Sequence, residues 1–130
     1  MTAQEMMERL AEVIDGHRWD DLPALLHPEF SCRYVHTGET FDRDSWVRIN
    51  ADYPGFQDFR LLDCVADRER AAGRAHVTGL ADGELQHFEV ATFLTLRDGL
   101  VVDMTEVWTD VDLTPPAGTR PQQTPGATDS

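Results

Sequence analysis

Glu106 stands two positions from Met104 and two from Trp108 in the run MTEVWTDV (104–111), so in an extended strand all three side chains face the same way. A carboxyl in that company is held back from ionising, and one that titrates near neutrality serves as a general acid or base. Tyr34 and His36 share a strand face with Cys32 in FSCRYVH (30–36). A phenol donates to a carbonyl or enolate oxygen, and a neutral imidazole carries a proton. Glu106, Tyr34 and His36 are therefore the expected catalytic groups. The plainer alternatives are a glutamate paired for structural reasons and a histidine solvated beside the Thr37-Gly38 turn. Trp108, Met104, Phe93, Trp46 and Tyr53 are expected as walls of a ligand site, with His87 and Glu89 near its open end. His87, Glu89 and Asp110 have no HxH or HxxxH spacing behind them, so no metal site is expected. The chain also lacks a glycine-rich phosphate loop, a nucleophile elbow and a dinucleotide fingerprint, and no cofactor is expected.

These residues need a sheet to hold them, and residues 87–111 read as two long strands joined at Asp98-Gly99. Such a dipeptide accepts positive φ at both centres of a two-residue turn. Counting outward from Arg97 opposite Leu100 pairs Phe93 with Met104, Ala91 with Glu106, Glu89 with Trp108 and His87 with Asp110. On that register one face carries His87, Glu89, Ala91, Phe93, Met104, Glu106, Trp108 and Asp110, with open space over Ala91. The other carries Val90, Leu94 and Val107, an aliphatic patch expected to seat a second copy of the chain as a homodimer.

Ahead of the hairpin, Met6, Leu10, Val13 and Ile14 form one stripe of a helix over residues 2–15, with Thr2 and Glu5 as a capping box. A short helix is expected over residues 20–26, a strand over 30–36, and a third helix over 43–51 capped by Asp42. Strands follow over 57–67 and 71–81, with Asp82-Gly83 as a further turn. Helices first and long strands after make an α+β domain over residues 1–113. The stretch 114–130, rich in proline, glycine and threonine without an apolar anchor, is expected to be a disordered tail.

With 24 acidic and 11 basic side chains in 130 residues, the net charge is −13. That surface repels phosphate backbones and anionic membranes, so neither nucleic acid nor membrane is an expected partner. No secretory signal or membrane-length apolar run is evident, and Cys32 and Cys64 read as reduced thiols, which together point to the cytoplasm.

The phrases DDLPALLHPEF (20–30), RYVHTGETFDRDSW (33–46), FEVATFLTLRDGLVV (88–102) and MTEVWTDV (104–111), in this order, resemble the SnoaL-like branch of the nuclear transport factor 2-like superfamily. The resemblance implies a cone: three N-terminal helices against a strongly curved antiparallel sheet, a pocket on the concave face, and dimerisation through the convex one. Ketosteroid isomerases and polyketide cyclases share this fold, as do epoxide hydrolases and non-catalytic members, so fold alone does not give function. The chain departs from the isomerases. Tyr34 stands where their aspartate base would be, and Ala91 where their oxyanion-binding acid would be. The water-activating Asp-Arg-Asp set of the epoxide hydrolases has no match here. The reading that follows is a pocket protein for a hydrophobic small molecule, a cofactor-independent cyclase or isomerase working by acid/base chemistry on a carbonyl-bearing substrate. A non-catalytic ligand-binding or dimerisation module of the same fold is the alternative.

Overall fold

The computed structural model describes residues 1–121. Helix α1 (Ala3–Asp15) starts at the expected capping box: the Thr2 N–H donates to Glu5 Oε1 at 2.8 Å and the Glu5 N–H to Thr2 Oγ1 at 3.2 Å. Its stripe of Met6, Leu10, Val13 and Ile14 is buried in the main core. The expected second helix resolves into two 3₁₀ turns, Trp19–Asp21 and Pro23–Leu25, because Pro23 interrupts the amide ladder after one turn. Strand β1 (Leu26–Tyr34) follows, longer at its start than the sequence pattern predicts. A short strand β2 (Thr40–Asp42), absent from the sequence reading, pairs antiparallel with it. Asp42 then caps α2 (Arg43–Ala51), accepting from the Ser45 N–H at 2.8 Å. The helices thus do not all precede the sheet, since α2 is inserted between β2 and the long strands.

Those long strands are β3 (Phe56–Ala66), β4 (Arg70–Ala81), β5 (Glu84–Arg97) and β6 (Leu100–Asp110). The curved six-stranded sheet has the order β2-β1-β6-β5-β4-β3. It is mixed, because β1 lies parallel to β6 while every other pair is antiparallel. That parallel pair sets Tyr34 directly beside Glu106. Asp98 and Gly99 have φ of 55° and 76°, and Asp82 and Gly83 have 52° and 78°, as two-residue turns with both centres left-handed require.

The hairpin register differs from the simple count. Arg97 does pair with Leu100 and Leu96 with Val101, but Thr95 pairs with Asp103. Val102 is the extra residue of a β-bulge, and everything beyond it moves by one position. Thr92, not Ala91, stands opposite Glu106, Val90 opposite Trp108, and Leu94 opposite Met104. Because side chains alternate with period two, one residue of slip exchanges the faces of β5. Val90 and Leu94 are buried on the inner face, while Val107 is exposed on the outer one, so these three do not form one patch. His87, Glu89, Ala91 and Phe93 likewise lie on the outer face, away from Glu106 and Trp108.

Residues 114–121 form no helix or strand and are exposed. The rest of the expected tail, 122–130, lies outside the described residues. Among the described residues, no helix is long and apolar enough to cross a membrane.

Candidate functional site

Between the inner face of the sheet, the end of α2 and the first 3₁₀ turn lies a cavity of about 440 Å³. Its walls are largely aromatic and aliphatic: Trp19, Ile49, Phe56, Phe59, Phe88 and Trp108 all contribute. Polar groups reach it from Tyr34, His36, Asn50, Thr78, Glu106 and Asp110, and no lysine or arginine is among the lining residues. Tyr53, 58% exposed, stands at the rim.

Glu106 is 6% exposed and has no cationic partner within salt-bridge distance among the described residues. Burial pushes its carboxyl from the ordinary 4.5 up to about 7, against a smaller opposing pull from the Trp108 hydrogen bond. The Trp108 indole N–H donates to Glu106 Oε1 at 2.9 Å. Tyr34, the cross-strand neighbour of Glu106, is buried, and its hydroxyl makes no hydrogen bond to a protein group among the described residues that meets ordinary geometry. Burial first, and the Glu106 charge second, push the phenol up, so Tyr34 remains a donor across the physiological range. The buried indole N–H of Trp46 comes near enough to ease this slightly without completing a hydrogen bond of its own. His36 stacks on Tyr34 with ring centroids 5.3 Å apart and lies 6.4 Å from the Trp108 ring. Cys32, fully buried behind Tyr34, has its thiol pushed up by burial and by the acidic neighbours Glu106 and Asp103, which makes it a poor nucleophile.

The structure brings together Glu106, Tyr34, His36, Trp108 and Tyr53 at one cavity, and it separates the remaining expected residues from them. Met104 and Trp46 lie in the core behind the wall, 2% and 1% exposed, where Trp46 packs on Phe30. Phe93 is on the outer face and 49% exposed. His87 and Glu89 belong to an outer-face network instead: His87 Nδ1 is 2.9 Å from His76 Nε2, His76 Nδ1 is 3.1 Å from Glu89 Oε2, and Arg74 donates to Glu89 Oε1 at 2.9 Å. The outer-face placement of Phe93, His87 and Glu89 follows from the bulge at Val102. Among the described residues no three histidine, cysteine or acidic side chains are arranged to hold a metal ion. The sequence reading missed Asn50, Phe59, Phe88 and Thr78 as lining residues. The inner position of Phe88 follows at once from the corrected register.

The family model described as a SnoaL-like domain matches residues 7–104. The chain belongs to the SnoaL-like domain family. Its fold is that of the nuclear transport factor 2-like superfamily, and solved structures superimpose over most of its length. One is a candidate ketosteroid isomerase from Kribbella flavida, 24% identical, with a TM-score of 0.77 over 96% of this chain and 92% of the other. Another is a candidate SnoaL-like polyketide cyclase from a Jannaschia species, 20% identical, with a TM-score of 0.71 over 82% and 84%. A third is wild-type IdmH, a candidate polyketide cyclase from Streptomyces antibioticus, 17% identical, with a TM-score of 0.72 over 83% and 92%. At these identities the likeness is one of fold. No curated protein matches the SnoaL-like chain.

Proposed function

We propose that the cavity binds an uncharged, hydrophobic, carbonyl-bearing small molecule and transforms it by cofactor-independent acid/base chemistry, as a cyclase or isomerase. The observation that carries this reading is the pairing of Tyr34 with Glu106 on one wall, with the Glu106 carboxyl poised at about 7. A base at that value is partly ionised at neutral pH and still accepts a proton readily. Glu106 takes a proton from the carbon next to the substrate carbonyl. The electron pair of the broken C–H bond forms the C=C of an enolate, and the negative charge moves to oxygen. Tyr34 donates a hydrogen bond to that oxygen. Glu106 then returns the proton at another carbon in an isomerisation; in a cyclisation the enolate carbon attacks a second carbonyl, whose π electrons move to its oxygen, and that oxygen takes the proton from Glu106. His36, stacked on Tyr34 near the mouth, is placed to pass protons to solvent. An anionic substrate would shed its hydration and meet Glu106 and Asp110 without a lysine or arginine to offset them, which favours an uncharged one.

The test begins with a thermal-shift screen of polyketide-like and terpenoid-like ketones, followed by turnover assays on the hits. Glu106→Gln should abolish turnover with the fold intact, because the amide keeps the shape but accepts no proton. Tyr34→Phe should slow it about 100-fold, the usual worth of one donor to a developing oxyanion. Equal turnover by both variants would overturn these roles. Tight binding of hits without any turnover would favour a non-catalytic binding module, a reading to which the largely apolar wall also lends support.

A further inference from the structure

Trp108 and Glu106 are two residues apart on β6, so both side chains project from its inner face. The indole N–H donates to Oε1 at 2.9 Å. An indole has a donor and no acceptor there, so the oxygen it engages must present a lone pair whichever way the carboxyl is charged. When the acid is neutral, its carbonyl oxygen is the better acceptor and its hydroxyl oxygen the poorer. The indole therefore selects Oε1 as the carbonyl oxygen and leaves the proton to Oε2. Oε2 makes no hydrogen bond among the described residues and is not one of their sealed, unpartnered atoms, which leaves it open to the cavity that Glu106 lines.

We infer that Trp108 is a positioning residue: by pinning Oε1 it makes Oε2 the single oxygen through which Glu106 exchanges a proton with a bound molecule. The inference rests on the reading of Glu106 as the proton carrier only for its consequence in turnover, not for the placement of the proton. Geometry sets it apart from simple packing. A ring that only fills space would be replaceable by phenylalanine, whereas this one stabilises the carboxylate against the cost of burial. The other titratable groups around Glu106 are few. Cys32 and Tyr34 on β1 stay protonated because burial and Glu106 push both up. His36 lies beyond Tyr34, and Asp110 follows on the inner face of β6. β5 offers Val90, Thr92 and Leu94 opposite, none of them titratable.

The experiment follows the Glu106 carboxyl by carbon-13 NMR in protein labelled at glutamate, with the resonance assigned by its loss in Glu106→Gln. In Trp108→Phe the titration midpoint should move to higher pH, to a proton concentration at least threefold lower. A midpoint that stays put or falls would overturn the inference. A second measurement needs no substitution at the wall. In wild-type protein labelled with nitrogen-15 at its three tryptophans, the Trp108 indole signal should move with the same midpoint as the Glu106 carboxyl. The Trp46 signal, whose indole lies off the cavity, should move far less. A Trp108 signal flat across that range would also overturn the inference. If Trp108→Phe shifts the midpoint while Glu106→Gln leaves turnover untouched, the catalytic reading fails and the positioning of the proton stands.

Discussion

Glu106 carries a stability cost that its proposed chemistry requires. Its folded value of about 7 lies above the ordinary 4.5, so the folded protein holds this proton more tightly than the unfolded chain does. Where the folded state binds more protons, stability falls as pH rises. The contribution is fully favourable below about 4.5, is lost progressively up to about 7, and amounts to about 3 kcal/mol across that window. Glu106→Gln removes the proton and the dependence together. Urea denaturation should therefore show the variant less pH-dependent over this window and more stable than wild type at pH 8, with the advantage absent at pH 4.5. A wild type whose stability is flat over this window would contradict a buried, unpaired carboxyl. The identity of this residue was legible in the sequence, because Met104 and Trp108 two positions away announce an apolar setting. Tyr34 was expected at the same cavity, but not as the direct neighbour of Glu106, since the parallel pairing of β1 with β6 is encoded by no local pattern.

At the level of elements, the turns and caps carry most of the information, and each makes a testable claim. Gly55 precedes β3 with φ of 79°, and a Cβ there would fall 2.0 Å from the Leu80 carbonyl oxygen. The same glycine accepts the Leu80 N–H at 2.7 Å, tying the start of β3 to the end of β4 beside the cavity walls Phe56 and Gly79. Gly55→Ala should cost more than about 2 kcal/mol, read as a lower urea midpoint, because left-handed backbone and close approach both oppose it. Asp42→Ala should cost about 1 kcal/mol by uncapping α2, whose later residues Ile49 and Asn50 line the cavity. Capping boxes and the Asp-Gly turns could be read from the chain because each is set by residues within three positions. The short strand β2 could not, since three residues without alternation become a strand only by pairing with β1. The split of the expected second helix was foreshadowed by Pro23, a residue that the apolar pattern alone overlooks.

For the whole molecule, the decisive surface is the outer face of the sheet, which neither α1 nor α2 covers. It exposes Val65 at 67% on β3, Phe93 at 49% on β5 and Val107 at 41% on β6, with Ala72 of β4 between the first two. Such a patch favours a partner, and a second copy of the chain is the expected one. The homodimer anticipated from sequence is therefore expected on Phe93 and its neighbours instead of Val90 and Leu94. Light scattering at micromolar concentration should give a dimer mass, and Phe93→Glu should give a monomer. A monomeric wild type would remove this expectation. Net charge of −13 is compatible with such pairing because the row Val65, Ala72, Phe93 and Thr105 across the four long strands carries no charge, and Arg74, beside Ala91 in the next row, is paired with Glu89.

Val102, the single extra residue in β6, sets the phase of everything beyond it. Deleting it would straighten the ladder and leave the later pairs as they are, whereas an added residue would slip every one of them. One residue inserted just after Asp103, with the bulge kept, would turn Glu106 and Trp108 toward the outer surface and bring Thr105 and Val107 inward, converting an acid-lined chamber into a plain one. The hairpin is therefore tolerant of spelling and intolerant of added length. In the divergence of such domains, an insertion in this strand offers a one-step route between an acid-lined interior and a plain one.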